Sequence, residues 1–175
     1  MAAKYLHYTY DQLNTFCMDA FQKFGFSESE ARIISDVLLL SDLYGIESHG
    51  MQRLVRYHKG IEKGMIDVHA KPEIVHETPV SAVIDAHDAM GQLVSHQAME
   101  LAIEKAKKTG MAIVSVRNSN HFGIAGYYAK MACDQGLVGM AMTNSEAIMV
   151  PTYARMAMIG SNPIALAVPA EPYPF

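Results

Sequence analysis

The chain has 175 residues, is 50% hydrophobic and carries a formal net charge of −4. That is enough apolar material for one sizeable domain or two small ones with a packed core, while the scattered Lys and Arg form no basic run or stripe, which argues against a nucleic-acid surface. No run of about 20 apolar residues is present to span a bilayer. The opening residues also lack the apolar centre of a signal peptide, so a cytoplasmic protein with no membrane partner is expected.

In chain order, Thr9-Tyr10-Asp11-Gln12 has the form of a capping box and predicts a first helix, with Leu13, Phe16, Cys17, Ala20, Phe21 and Phe24 on one face before Gly25. Ser27 and Glu30 repeat the device for a second helix, whose apolar positions Ile33, Ile34, Val37, Leu38 and Leu40 run on to Leu43 and Tyr44, interrupted by Ser41. The pair reads as an αα-hairpin. A third helix is predicted with Ser48 as its N-cap, running through Tyr57 and Ile61 to Gly64. On it His49, Arg53 and Tyr57 are spaced by four and would share one polar face. An imidazole, a guanidinium and a phenol in a row suit an anionic substrate, with Arg53 offering a bidentate grip on a carboxylate. The competing reading is a solvated helix face with an ordinary salt bridge.

Beyond Gly64 the pattern turns to alternation. Residues 73–77 and 81–85 read as short strands, residues 92–109 as a long amphipathic helix stopped by Gly110, and residues 111–116 as a buried strand. The polar stretch Arg117-Asn118-Ser119-Asn120-His121-Phe122-Gly123 follows, then a helix over 124–135 and a further buried strand over 137–143 that releases the chain into Thr143-Asn144-Ser145. In open α/β sheets ligands meet the loop leaving the carboxyl end of a strand, which places His121 where chemistry is expected. The alternative for this loop is that Asn118, Asn120 and His121 cap the helix and tie up loop backbone. Residues 164–168 read as another buried strand, followed at once by a Pro-rich ending with no helix to finish the layer. The 175 residues are therefore expected to be the N-terminal part of a longer polypeptide. The fold class is α/β, with a helical part over 1–68 followed by a mixed-sheet domain over 69–175. Cys17 and Cys133 fall on apolar helix faces and are expected as buried free thiols.

Several familiar motifs are missing. Gly123-Ile124-Ala125-Gly126 and Gly136-Leu137-Val138-Gly139 have the wrong spacing for a dinucleotide fingerprint or a P-loop, so a standard Rossmann site is not encoded. The eight His include no His-Glu-x-x-His and no Cys/His cluster, and no metal site is expected. A Gly-x-Ser-x-Gly elbow is absent as well. Two readings of other classes remain beside an oxidoreductase: a metal-assisted hydrolase or lyase using His49 and His121, and a non-catalytic fragment.

Four segments carry a family resemblance. Ser41-Asp42-Leu43-Tyr44-Gly45-Ile46-Glu47-Ser48-His49-Gly50 with Arg53-Leu54, Arg117 to Gly123, Thr143-Asn144-Ser145, and Ile159-Gly160-Ser161-Asn162-Pro163-Ile164 resemble, in that order, the malate/L-lactate dehydrogenase family of the second type. That family is sulfolactate dehydrogenase-like in fold and unrelated to the Rossmann-fold lactate dehydrogenases. The resemblance covers essentially the whole chain, with Ser161 standing where the family often has Thr. It implies hydride transfer between NAD or NADP and a 2-oxo or 2-hydroxy carboxylate, most simply malate or L-lactate, with ureidoglycolate or a cyclic imine as alternatives. It further implies proton transfer by His121 and His49, and a substrate-carboxylate clamp at Arg53 with Tyr57, Ser48 and Asn120 beside the substrate. Cofactor contacts are implied at Ser145, Asn144 and His121. The expected partners are a small 2-oxo acid, a second copy of the chain as a homodimer, and the C-terminal remainder of the same polypeptide.

Overall fold

Both predicted capping boxes close, and each starts the helix expected of it. α1 (Tyr10–Lys23) opens with Thr9 Oγ1 accepting the Gln12 N–H at 3.3 Å while Gln12 Oε1 accepts the Thr9 N–H at 2.9 Å. α2 (Glu28–Leu43) repeats the exchange between Ser27 and Glu30 at 3.3 and 2.8 Å. A side-chain cap of this kind contributes about 0.5–2 kcal/mol by satisfying amides that the first turn leaves open. This computed structural model describes residues 6–175.

The chain divides into two units. The first contains the segments up to Thr78, Ala82–Ala98 and Ser115–Gly123, and the second contains Pro79–Ser81, Met99–Val114 and Ile124–Phe175. The core of the first unit is built on Cys17, Phe21, Phe26, Ala31, Ile34, Leu38, Tyr57, Ile66 and Met90. Phe16 does not join it. It lies about 100° around the helix from Cys17 and is 60% exposed, outside the stripe that carries Cys17 and Phe21. Leu43 and Tyr44 are also exposed, because the inner face of α2 ends at Ser41, whose buried hydroxyl donates to Ile46 O at 2.8 Å. Cys17 and Cys133 are buried free thiols, and burial pushes the Cys17 thiol up to about 11.

The third helix starts later than the sequence predicts. Glu47–His49 and Met51–Arg53 form two short 3₁₀ turns, and α3 (Leu54–Glu62) begins only after them, with no side-chain cap. The cause is distant in sequence. The Asp42 carboxylate accepts the Met51 N–H at 2.8 Å and fills the space that a Cβ on residue 50 would need. Gly50 is therefore required, and the chain breaks there instead of continuing one helix from Ser48. His49, Arg53 and Tyr57 consequently do not share a single helix face, which corrects the sequence reading.

The remaining elements are β1 (Glu73–Thr78), β2 (Ser81–Asp85), α4 (Gly91–Thr109), β3 (Ile113–Arg117), α5 (Ala125–Cys133), β4 (Gly139–Met142) and β5 (Ile164–Ala167). One sheet has the order β1-β2-β3. In the second unit β4 and β5 pair antiparallel, Gly139 opposite Ala167 and Met142 opposite Ile164, and α5 packs on this ribbon with Ala129 and Ala132 against Gly139. Strands expected to be buried are only half so: Ile113, Met140, Met142, Ile164 and Leu166 are all exposed. Side chains alternate across a strand, and here a single face is covered. The architecture is α/β, as expected. Among the described residues no helix is long and apolar enough to cross a membrane.

Candidate active site

The loop from Arg117 to Gly123 is held by a buried carboxylate. Asp85, at the end of β2, accepts from Arg117 Nε at 2.9 Å, from Asn118 Nδ2 at 3.0 Å to each oxygen, and from the His87 amide at 3.2 Å. Those bonds, the Asn118 amide first among them, hold the Asp85 carboxyl below the usual carboxylate range. They also fix Asn118 and His87 in the left-handed region, at φ 53° and 49°, a conformation that Asn tolerates better than most residues. Further along, Asn120 Nδ2 lies 3.0, 2.9 and 3.3 Å from the carbonyls of Met65, Asp88 and Ala89. Its amide nitrogen is thus committed to holding loop backbone. The loop does not cap α5, whose N-cap is Ile124 with no side-chain hydrogen bond.

This bracing delivers His121 against the helical segment. The Tyr57 hydroxyl, from the buried side of α3, lies 2.7 Å from His121 Nδ1, and the Gly123 N–H donates to the same nitrogen at 3.3 Å. A backbone N–H can only donate, so Nδ1 presents a lone pair and the neutral ring carries its proton on Nε2. The Tyr57 hydroxyl then also donates to Nδ1. His49, from the first 3₁₀ turn, stacks on His121 with ring centroids 5.3 Å apart and planes inclined by 26°. Its own Nδ1 is 2.9 Å from Ser48 Oγ. His49 and Tyr57 therefore meet at His121 although they do not line up along one helix. Arg53 Nε donates to the Ser48 carbonyl at 2.5 Å, which fixes the guanidinium beside the paired rings.

The electrostatics of this cluster favour an anion. Burial, then the charges of Arg53, His49 and Arg56, push the His121 imidazole down to about 4. His49 is lowered by burial and by the same two guanidiniums. Burial drives the Tyr57 phenol up to about 12, although contact with the Gln92 amide and the two arginines pulls the other way. A carboxylate arriving at Arg53 would meet two imidazoles held toward their neutral form beside the Arg53 and Arg56 guanidiniums. Arg56 and Gln92 were not among the residues singled out from the sequence. The Arg53–Arg56 spacing of three was a usable signal for the first; Gln92, a polar residue on an apolar helix face, gave only a weak one.

In the second unit the Thr143-Asn144-Ser145 turn is locked to the Gly160-Ser161-Asn162 turn. Asn162 Oδ1 accepts the Ser145 N–H at 2.9 Å, and the Ser145 and Ser161 hydroxyls are 3.3 Å apart. Asn144 is exposed beside them. Among the described residues no group of three or more His, Cys, Asp or Glu side chains gathers as a metal site.

A family model described as malate/L-lactate dehydrogenase matches residues 8–175. The chain is 48% identical over 171 residues to a malate dehydrogenase of Pyrococcus abyssi, covering 98% of this chain and 47% of that protein. It is 43% identical over 158 residues to an L-sulfolactate dehydrogenase of Methanocaldococcus jannaschii, covering 90% and 46%. The solved malate dehydrogenase of Pyrococcus horikoshii superposes with a TM-score of 0.95 at 46% identity, over 98% of this chain and 49% of that one. The chain thus spans about half the length of the curated relatives it matches.

Proposed function

Because the chain belongs to the malate/L-lactate dehydrogenase family, we propose that the polypeptide carrying it transfers hydride reversibly between NAD(P)H and a 2-oxo or 2-hydroxy carboxylate. Malate or L-lactate is the first candidate, and ureidoglycolate or a cyclic imine the alternative. The observation that carries this reading is the His121 ring, backed by the Tyr57 hydroxyl at 2.7 Å and faced by His49 in a field of two guanidiniums. Nothing in it is specific to one 2-oxo acid.

A bound nicotinamide would supply the hydride in reduction and accept it in oxidation. Its polar groups need hydroxyl and amide partners without a fixed charge, and the Ser145, Ser161 and Asn144 side chains at the locked turn provide that donor set. We assign Ser145 and Asn144 to the cofactor on that ground. His121 is a further candidate contact. Residues 69–175 then carry part of the cofactor side, and residues 1–68 the substrate side.

Arg53 grips the substrate carboxylate and orients the carbonyl. Ser48 and His49 line the same approach, and Asn120 acts from the loop. As negative charge grows on the carbonyl oxygen, His121 Nε2–H hydrogen-bonds it and gives up its proton, while Nδ1 takes the proton of the Tyr57 hydroxyl. An aliphatic alkoxide is a stronger base than a phenolate, so the relay runs downhill; after release a water protonates His121 Nε2 and Nδ1 returns its proton to the buried Tyr57 phenolate, which restores the starting tautomer. In the oxidative direction each proton retraces its path. With the imidazole at about 4, its cationic form makes up only about one part in a thousand at neutral pH, which favours the neutral relay over a standing imidazolium donor. The relay predicts a 2-oxo-acid reduction rate that is flat from about pH 6 to pH 8; an acid limb with a midpoint near the ordinary imidazole value would overturn it.

His121→Ala should lower kcat by about 10²–10⁴-fold, whereas Arg53→Ala should chiefly raise KM for the 2-oxo acid. Near-normal kinetics in both variants would sink the assigned roles.

A further inference from the structure

Gln92 lies in the first turn of α4, fully buried, and among the described residues neither its Nε2 nor its Oε1 has a partner at good hydrogen-bond geometry. A buried amide without partners is costly enough that most are found paired. Here one partner is within reach. The Gln92 amide lies against the Tyr57 hydroxyl, closely enough to counter part of the upward push that burial gives the phenol. Tyr57 is itself 1% exposed, and its oxygen is the atom that faces His121 Nδ1.

We propose that Gln92 is a positioning residue for proton transfer: its buried amide donates through Nε2 to the Tyr57 oxygen, so that the Tyr57 proton points at His121 Nδ1. The chain of donors then runs one way, from Gln92 to Tyr57 to His121, and leaves His121 as the neutral ring with its proton on Nε2. The Gly123 N–H, fixed by the backbone, enforces the same direction from the other side. Were the Tyr57 hydroxyl free to turn, its oxygen would accept from a protonated Nδ1 and His121 would take up a proton more readily. The groups facing His121 are Tyr57, His49, Arg53 and Arg56, and none of the other three sets the orientation of the phenol. During turnover the same Nε2–H would hold the Tyr57 phenolate while the relay is discharged. This inference rests on the assignment of proton transfer to His121.

Nitrogen-15 NMR of the histidine side chains reads the tautomer and the pKa of His121 without any need for turnover. In the wild-type chain His121 should be neutral with Nε2 protonated down to about pH 5. In Gln92→Met, which keeps length and burial, the His121 pKa should rise by about one unit and the Nδ1-protonated form should become detectable. An unchanged tautomer and pKa in a folded Gln92→Met variant would overturn the proposal, as would a wild-type His121 protonated on Nδ1. Should Gln92→Met fail to fold, hydrogen exchange of the Gln92 side-chain amide decides the matter. Protection in the wild type that is lost in Tyr57→Phe supports the contact, and equal exchange in both overturns it. A His121 locked as described in a polypeptide without 2-oxo-acid turnover keeps the Gln92–Tyr57–His121 contact but overturns its role in proton transfer together with the dehydrogenase reading. Turnover together with an indifferent Gln92→Met removes this one alone.

Discussion

His121 ties function to stability. Its imidazole sits at about 4 in the fold against an ordinary value of 6.5, so between those two values the unfolded chain binds a proton that the folded chain refuses. Folding stability is therefore fully present above the ordinary value, declines as pH falls toward about 4, and has no further loss from this group below that. His49 is lowered as well and acts with the same sign. Chemical-denaturation midpoints should fall between about pH 7 and pH 4, and His121→Gln should flatten part of that slope; an unchanged slope would mean that the ring is not held neutral by burial. Arg56 enters at the same scale. Arg56→Ala should raise the His121 pKa in an NMR titration, since one of the charges opposing the imidazolium is gone.

Elements, in turn, decide whether the residues meet. Gly91 opens α4 where a Cβ would run into the backbone carbonyls of Asn120 and His121. Gly91→Ala should displace the His121 loop, costing about 1–3 kcal/mol of stability and much of the turnover; a variant with wild-type melting and kinetics would show that the loop yields freely. Asp85→Ala should release Asn118 and Arg117 together, read as faster amide exchange from Arg117 to Gly123 with α1 and α2 unaffected. These dependencies also explain what the sequence made legible. The capping boxes at Thr9 and Ser27 were readable because both partners lie within four residues. The start of α3 was not, because its organiser is Asp42, outside the window in which Ser48 looked like a cap. A short apolar run cannot say which face of a strand is covered, so β3, β4 and β5 read as buried when only half of each is. His49, Arg53 and Tyr57 stand out on a helix-face argument, His121 on its place in a loop leaving the carboxyl end of a strand, and all four on a resemblance. The contact that joins them, Tyr57 to His121 across 64 residues of sequence, depends on the Asp85 and Asn120 braces, which leave no local pattern.

At the scale of the molecule two apolar surfaces need occupants. Tyr10 and Phe16 on α1, with Leu43 and Tyr44 at the end of α2, are all exposed, and they are the apolar side chains that a homodimer of the polypeptide would cover. Light scattering should return twice the polypeptide mass, and Phe16→Glu should move it toward the monomer; a monomer mass for the wild type would count against the contact. Met140, Met142, Ile164 and Leu166 likewise leave one side of β4 and β5 exposed. The measurement that tests the central claim most directly is nicotinamide absorbance. NADH and NADPH are offered to the full polypeptide that carries these residues, with oxaloacetate, pyruvate, other 2-oxo acids and oxalurate as acceptors. Oxidation of one nucleotide with at least one of these acids, abolished by His121→Ala, is the predicted result. Silence with every pair, from folded protein of verified mass, would contradict it.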